Sequence, residues 1–353
     1  MPEAAQIPII DISAEGADEL EVAKKLVDAA AEYGFVYIKN AGKDISAQQV
    51  QGAFDISRKL FLETSVEEKQ KCTIQKNNRG WSGMHSETLD PKTQRVGDFK
   101  EAFNFGPFNG NTPEQPIPST MEPHQADLAA FRESCHGLCR KILFLFGIGL
   151  GVDPPDFFTS AHTSSQPSGT ILRLLYYPPP NSATTSSAQV SDVRAGAHSD
   201  YGSITLLFRL QGQAGLEVLT TPFNVWAPVP VVPAGTENDP SPPILVNIGD
   251  LLSYWTNGLL RSTVHRVTFD AKGVNGETNS EARYSIAFFC HPADKTKLAP
   301  VPSKRVEEFV GSTADAKEGN PYAERKVLTA TEHLQMRLQA SYADLYKTEE
   351  QKE

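Results

Sequence analysis

Three residues in the second half of the chain have the types and spacing of ligands for one metal ion. His198 and Asp200 lie two positions apart in GAHSDYG, and on an extended strand both side chains point to the same face. His265 lies in the later apolar run STVHRVTF, and it reaches the same ion only if its strand lies beside the first inside a barrel. Two imidazoles and one carboxylate leave three adjacent positions of an octahedron open, which is the ligand set of Fe(II) sites that activate dioxygen.

A second pair of polar residues has the types needed to bind a carboxylate. Arg283 and Ser285 open the next apolar run, RYSIAFFCHP, and share one strand face. The guanidinium offers bidentate geometry and stays charged. Arg283 alone is equally well explained by a structural ion pair, and a histidine in a strand is more often a structural residue than a ligand. Together with the metal ligands, the pair favours a bound dicarboxylate.

Short strands are the elements that must position these residues. From Thr170 to His291 the chain consists of β-branched and aromatic runs separated by Gly, Pro, Asn and Ser clusters, without intervening helices. This pattern predicts an antiparallel sandwich or jelly roll, with Asn257-Gly258 as the turn of a hairpin. Two long polar loops, 178–196 and 230–243, are places for either a lid or an exposed insertion.

Helices flank this predicted core. Helical spacing and capping residues predict helices over 18–33, after Ser46, after Ser65, over 125–146 and after Thr329. We therefore expect a mainly helical N-terminal region (1–168), a β core (169–295) and a C-terminal helical extension (296–353). The predicted fold class is mixed α/β with a mainly β core.

Composition and charge narrow the class of protein. The 353 residues contain Lys+Arg 33 and Asp+Glu 43, a formal net charge of −10, and no dense basic stripe, so nucleic acid is not an expected partner. The apolar stretch 142–152 is shorter than the ~20 residues of a membrane span, so we expect no membrane association. The N-terminus lacks a signal-peptide pattern and the four cysteines fit free thiols, which predicts a cytoplasmic protein.

Two of these cysteines form a second candidate metal pair. Cys135 and Cys139 lie one helical turn apart with His136 between them. Small apolar side chains on a buried helix face explain the pair better than a metal site does.

The chain resembles the Fe(II)/2-oxoglutarate-dependent dioxygenases of the isopenicillin N synthase-like group over nearly its whole length. Segments similar to the group's landmarks occur in order: IPIIDIS, AAAEYGFVYIKN, NNRGWSG, GDFKEAFNFG, LRLLYYPP, GAHSDYGSITLLF, GLEV, VNIGDLLSYWTNGLLRSTVHRV and RYSIAFF. The resemblance implies a double-stranded β-helix that holds Fe(II) on His198, Asp200 and His265. It also implies that Arg283 and Ser285 bind the distal carboxylate of 2-oxoglutarate.

Two features depart from the group's pattern. Tyr177 matches a tyrosine that contacts the cosubstrate in the family, whereas Leu175 replaces the asparagine that often accompanies it. The segment 270–282 is longer than usual, which a longer hairpin loop absorbs. The missing asparagine leaves open an iron-dependent oxidase of the isopenicillin N synthase type, which does not use 2-oxoglutarate.

Strand alternation extends the prediction to the substrate. Phe289 and His291 share the face of the carboxylate-binding pair, and matching positions approach the substrate in the family. Arg173 is expected on the inward face of its own strand, where it would meet a polar or anionic substrate group. Phe103 and Phe105 are expected to supply an aromatic wall. Ordinary core packing is the alternative for each of these aromatic residues.

We therefore predict an oxidoreductase that uses Fe(II), 2-oxoglutarate and dioxygen. It would hydroxylate, desaturate or rearrange a small organic substrate, such as a natural-product intermediate, and release succinate and carbon dioxide. Besides the oxidase, the alternative is a small-molecule-binding protein that has lost the chemistry, which the complete ligand set disfavours. The substrate and the oligomeric state do not follow from the sequence.

Overall fold

A computed structural model describes residues 3–90, 92–94, 96–179, 193–221, 224–268, 281–309 and 326–341. The helices are α1 (Glu19–Glu32), α2 (Ala47–Leu62), α3 (Val66–Lys71), α4 (Gln125–Gly149), α5 (Phe157–Ala161), α6 (Asp250–Trp255), α7 (Lys304–Glu307) and α8 (Ala330–Ser341), with a 3-10 helix over Ser119–His124. The strands are β1 (Ile9–Ile10), β2 (Phe35–Ile38), β3 (Gly80–Ser82), β4 (Glu101–Phe105), β5 (Phe108–Asn109), β6 (Thr112–Pro113), β7 (Ile171–Tyr177), β8 (Ala195–His198), β9 (Ile204–Arg209), β10 (Leu216–Thr220), β11 (Val225–Pro228), β12 (Ile244–Ile248), β13 (His265–Val267) and β14 (Arg283–Cys290).

The predicted N-terminal helices are confirmed, and their caps explain where they begin. Asp18, Ser46 and Ser65 each accept a backbone N–H at the start of α1, α2 and α3. After α1 the chain turns at Gly34, whose φ is +70° and whose added Cβ would lie 2.4 Å from the carbonyl oxygen of Arg261. Only glycine fits that backbone and that space.

Two sheets form the predicted jelly roll. The large sheet has the strand order β1-β2-β12-β9-β14-β7-β4-β3, and the small sheet has the order β11-β10-β13-β8. Leu174 and Phe288, on one face of the large sheet, belong to the same core cluster as the helices. Leu175 and Ala287, on the other face, cluster with residues of the small sheet. Within the described ranges the two sheets share no strand pairs, so the core is a sandwich of facing sheets rather than one closed barrel.

The predicted hairpin at Asn257-Gly258 is wrong. The preceding residues form helix α6 instead of a strand, and Asn257 has a φ of 56° and Gly258 a φ of 84°. The N–H of Gly258 donates to the carbonyl of Ser253 and the N–H of Asn257 to that of Tyr254, which is the Schellman arrangement at a helix C-terminus. A left-handed Asn-Gly pair serves both structures, so the dipeptide alone did not distinguish them.

Several predictions fall partly outside the described residues, namely most of the loop 178–196, most of the segment 270–282 and the C-terminal part of the final helix. The loop 230–243 is described and forms turns held to the rest of the protein by contacts such as Asn40 Nδ2 to Ser241 Oγ, 3.0 Å. In the described part of the chain, none of the helices combines the length and apolar character needed to span a membrane.

Candidate active site

His198, Asp200 and His265 come together between the two sheets. Strand β8 pairs antiparallel with β13, and His265 is the direct partner of His198 across this pair. The Nε2 atoms of both histidines lie 3.7 Å from Asp200 Oδ1. The possible ligand atoms of the three residues are all within 4.8 Å of one another. The juxtaposition that the sequence prediction required is therefore present.

Each histidine is oriented by a backbone carbonyl. Nδ1 of His198 lies 2.7 Å from the carbonyl oxygen of Gly196, and Nδ1 of His265 lies 3.2 Å from that of Thr263. With the proton on Nδ1, each ring presents the lone pair of Nε2 towards Asp200, as metal-binding histidines do. Burial and the neighbouring His265 lower the pKa of His198 to about 3, which keeps this imidazole neutral and able to bind a cation.

Asp200 is held as a carboxylate by two hydrogen bonds to one of its oxygens. Its Oδ2 accepts from Thr205 Oγ1 at 2.6 Å and from Asn247 Nδ2 at 2.7 Å, so Oδ1 remains directed at the histidines. Burial alone would raise the pKa of Asp200, but His265, His198 and these two hydrogen bonds outweigh it and lower the pKa. A carboxylate oxygen beside two imidazole nitrogens is a donor set that suits a divalent iron ion.

The predicted carboxylate-binding pair lines the same cavity, which has a volume of about 110 Å³. Arg283 and Ser285 are both buried, and Nη1 of the guanidinium lies 3.3 Å from Ser285 Oγ. Across the strand pair, Tyr177 is opposite Arg283, and the centre of its ring lies 4.8 Å from Arg283 Cζ. Leu175 is opposite Ser285 and presents an apolar side chain to the cavity. A buried cation beside a hydroxyl and a phenol fits the carboxylate end of 2-oxoglutarate.

The predicted substrate-side residues divide into two groups. Arg173, Phe289 and His291 line the cavity, as strand alternation predicted. Phe103 and Phe105 do not: both are fully buried in the core cluster on the helix side of the large sheet, with ring centroids 4.7 Å apart. The expected aromatic wall from these two residues is therefore wrong, because alternation along β4 directs them away from the cavity.

A network of buried charges forms one wall of the cavity and was not anticipated from the sequence. Glu87 Oε2 lies 2.6 Å from Arg173 Nη2 and 2.8 Å from Lys100 Nζ, and Lys100 also contacts Asp98. Asp98 Oδ1 in turn accepts hydrogen bonds from Gln94 Nε2 and from a backbone amide. Two acidic and two basic side chains thus face one another; those of Glu87, Asp98 and Lys100 are at most 4% exposed, and that of Arg173 is 11% exposed.

Helix α8 covers the cavity and was predicted only as an amphipathic helix. Leu334 and Leu338 line the cavity alongside Tyr201. Arg337 holds the helix in place, because its Nη2 lies 2.9 Å from Asp250 Oδ2 and its guanidinium lies 5.1 Å from the centre of the Tyr201 ring. The sequence signal was the apolar face of α8, which indicated burial but not the surface that the helix covers.

Comparisons with known proteins identify the family of the chain. Residues 168–292 match the model of the 2OG-Fe(II) oxygenase superfamily, and residues 7–126 match that of the non-haem dioxygenase in morphine synthesis N-terminal family. The chain is 38% identical over 298 residues to the UPF0676 protein C1494.01 of Schizosaccharomyces pombe, covering 84% of this chain and 85% of the relative. It is 30% identical over 342 residues to the 2-oxoglutarate-dependent dioxygenase htyE of Aspergillus rugulosus, covering 92% and 95%.

A solved structure has the same fold. A full-length protein of Neurospora crassa, crystallised in complex with alpha-KG (2-oxoglutarate) and thymine, superposes with a TM-score of 0.73 at 28% identity, covering 96% of this chain and 99% of that one. The predicted reaction class and cofactors are thereby confirmed. The chain belongs to the 2OG-Fe(II) oxygenase superfamily, and is an enzyme that uses Fe(II), 2-oxoglutarate and dioxygen to oxidise a small organic substrate.

Proposed function

We propose that His198, Asp200 and His265 are the iron ligands of this enzyme. The observation that carries the proposal is the convergence of two Nε2 atoms and one carboxylate oxygen, each oriented by a hydrogen bond to the other polar atom of its side chain. In this assignment, the three residues would hold the ion and leave its other positions to 2-oxoglutarate and dioxygen, with the substrate in the cavity beside it.

Arg283, Ser285 and Tyr177 then bind the distal carboxylate of 2-oxoglutarate. The guanidinium and the hydroxyl donate hydrogen bonds to the carboxylate, and Tyr177 opposite them on β7 borders the same space. When iron and 2-oxoglutarate are bound, oxidative decarboxylation yields succinate, carbon dioxide and the oxidant for the substrate. The protein residues position the cosubstrate and shield the site from water. Leu175 cannot hydrogen-bond the cosubstrate, so Arg283 carries more of this binding.

The substrate is a small molecule that contacts Arg173, Phe289 and His291 on the remaining cavity wall. The thymine complex of the related Neurospora crassa protein supports a substrate of this size. All four cysteines are free and buried, and this supports the proposal that the enzyme works in the reducing cytoplasm. Fractionation of cells that produce a tagged copy tests the location.

Anaerobic absorption spectroscopy tests the assignment. We expect that adding Fe(II) and then 2-oxoglutarate to the protein produces the weak visible charge-transfer band of an iron-bound keto acid. His198→Ala should abolish the band, whereas Cys135→Ala, a buried change on α4, should retain it. A band of full intensity in a folded His198→Ala variant would falsify the proposed ligand set.

A further inference from the structure

The chemical character of the substrate can be inferred from the buried charges on the cavity wall. Glu87, Lys100 and Arg173 line the cavity, and Asp98 lies directly behind Lys100. Glu87 and Lys100 are each 4% exposed and Asp98 is 1% exposed. Charges buried this deeply are tolerated only when they are paired.

The charged side chains of the wall are paired with one another. Arg173 Nη1 and Nη2 lie 3.3 and 2.6 Å from the two carboxylate oxygens of Glu87, which is a bidentate arrangement. Lys100 Nζ contacts Glu87 and Asp98 together. Burial and the neighbouring Glu87 raise the pKa of Asp98, although Lys100 and the hydrogen bond from Gln94 act in the opposite direction. Among the described residues, two acidic and two basic side chains of the wall are therefore paired with one another.

An ionic substrate group would have to break one of these pairs. A carboxylate that approached Arg173 would compete with Glu87 and add another anion to the buried cluster. An ammonium group that approached Glu87 would compete with Arg173 and Lys100 and add another cation. A neutral amide or imide meets neither obstacle, because its carbonyl can accept from the cations while its N–H donates to Glu87.

His291 supplies a second uncharged contact. Its side chain lines the cavity and is buried, with 6% of the residue exposed. In the described part of the chain, neither ring nitrogen has a hydrogen-bond partner, because the bonds of this residue to Thr170 use only its backbone. A neutral imidazole can donate through one nitrogen and accept through the other.

We infer that the substrate is an uncharged molecule, with an amide- or imide-like group against the Glu87–Arg173–Lys100 wall. This replaces the expectation that Arg173 meets an anionic group, since Glu87 already neutralises the guanidinium. The inference rests on the proposed function, because it takes the cavity beside the iron ligands to be the substrate site.

Three probes of nearly the same shape test the inference: benzamide is neutral, benzoate is anionic and benzamidine is cationic. Their binding is measured by calorimetry to the anaerobic enzyme loaded with Fe(II) and saturating 2-oxoglutarate, so that Arg283 is occupied. We expect benzamide to bind at least tenfold more tightly than either charged probe. Equal or tighter binding of benzoate or benzamidine, or no detectable binding of benzamide, would overturn the inference.

Variants of the wall sharpen the test. Glu87→Gln removes one negative charge from the wall, so the affinity for benzoate relative to benzamide should rise at least tenfold. Arg173→Gln should raise the affinity for benzamidine relative to benzamide by a similar factor. The double variant removes one charge of each sign and should again bind benzamide most tightly. An unchanged order in folded single variants contradicts the inference, and if they do not fold, the order in the wild type decides. The charge-transfer band is recorded first. If the band is absent, the proposed iron site has failed; if it is present and the probes bind in the wrong order, only this inference has failed.

Discussion

Replacing Thr205 by valine should weaken iron binding without changing any proposed ligand. Thr205 Oγ1 donates to Asp200 Oδ2 at 2.6 Å, and Thr205 is buried with 3% of its surface exposed. Valine has nearly the same shape but no hydroxyl, so the carboxylate loses one of its two hydrogen bonds. Loss of a hydrogen bond to a charged group costs about 1.5–3 kcal/mol.

That cost corresponds to an affinity for Fe(II) that is ~10–100-fold lower, since each 1.4 kcal/mol is about a factor of ten. Groups that orient metal ligands typically have effects of this size. Affinity is measured by anaerobic competition with a coloured Fe(II) chelator. Thr205→Ser is the matched control, because it keeps the hydroxyl and removes only a methyl group, and it should bind iron within about threefold of the wild type.

Two results would refute this reasoning. If the valine variant binds Fe(II) as tightly as the wild type, the hydrogen bond does not hold Asp200 in its ligand position. If the serine and valine variants lose affinity equally, the effect comes from packing at this site. Thermal unfolding of the metal-free proteins shows whether either variant is destabilised.

Three further variants test separate parts of the structure. Arg283→Gln should weaken 2-oxoglutarate binding at least ~100-fold, because two charge-assisted hydrogen bonds are lost, and an unchanged titration of the charge-transfer band would contradict this. Phe103→Ala should lower the free energy of unfolding by about 3–5 kcal/mol in urea denaturation while leaving 2-oxoglutarate affinity within about twofold; a selective loss of that affinity would return Phe103 to the cavity. Leu334→Ala combined with Leu338→Ala should open the cavity to water, which increases water-proton relaxation by Mn(II) bound in place of Fe(II), and no increase would mean that α8 does not cover the site.

The convergence of His198, Asp200 and His265 could be predicted from sequence because it depends on local alternation and one strand pairing. The spacing of His198 and Asp200 predicted that they share a face, although β8 ends at His198 and Asp200 lies just beyond it. His265 required the additional assumption that its strand pairs with β8, and the observed register places it directly opposite His198. Arg283, Phe289 and His291 followed from the alternation of a single long strand. Predictions of this kind need only the two-residue period of side chains along a strand and the face that one reference residue occupies.

Features that depend on packing between distant segments could not be predicted in the same way. Glu87 lies outside the strands and helices, so no periodicity indicates where its side chain points. Helix α8 has an apolar face, but the sequence does not state which surface Leu334 and Leu338 cover. The space for Leu334 depends on Gly169, where an added Cβ would lie 2.4 Å from the leucine Cδ2. Such close approaches become visible only in three dimensions.

The orientation of the side chains along strand β4 strongly affects the chemistry of the cavity. Sequence alone does not show which face of the sheet each of these residues occupies. Lys100 and Glu101 are adjacent charged residues, so only one of them can face the cavity. In the structure Lys100 lines the cavity, whereas Glu101 lies on the other side and accepts hydrogen bonds from Lys69 Nζ at 2.9 Å and Trp81 Nε1 at 3.0 Å. The same alternation carries the aromatic residues of β4 into the helix-side core. A buried ammonium group on the cavity wall then needs carboxylates beside it, and this pairing is the basis for our inference that the wall disfavours an ionic substrate.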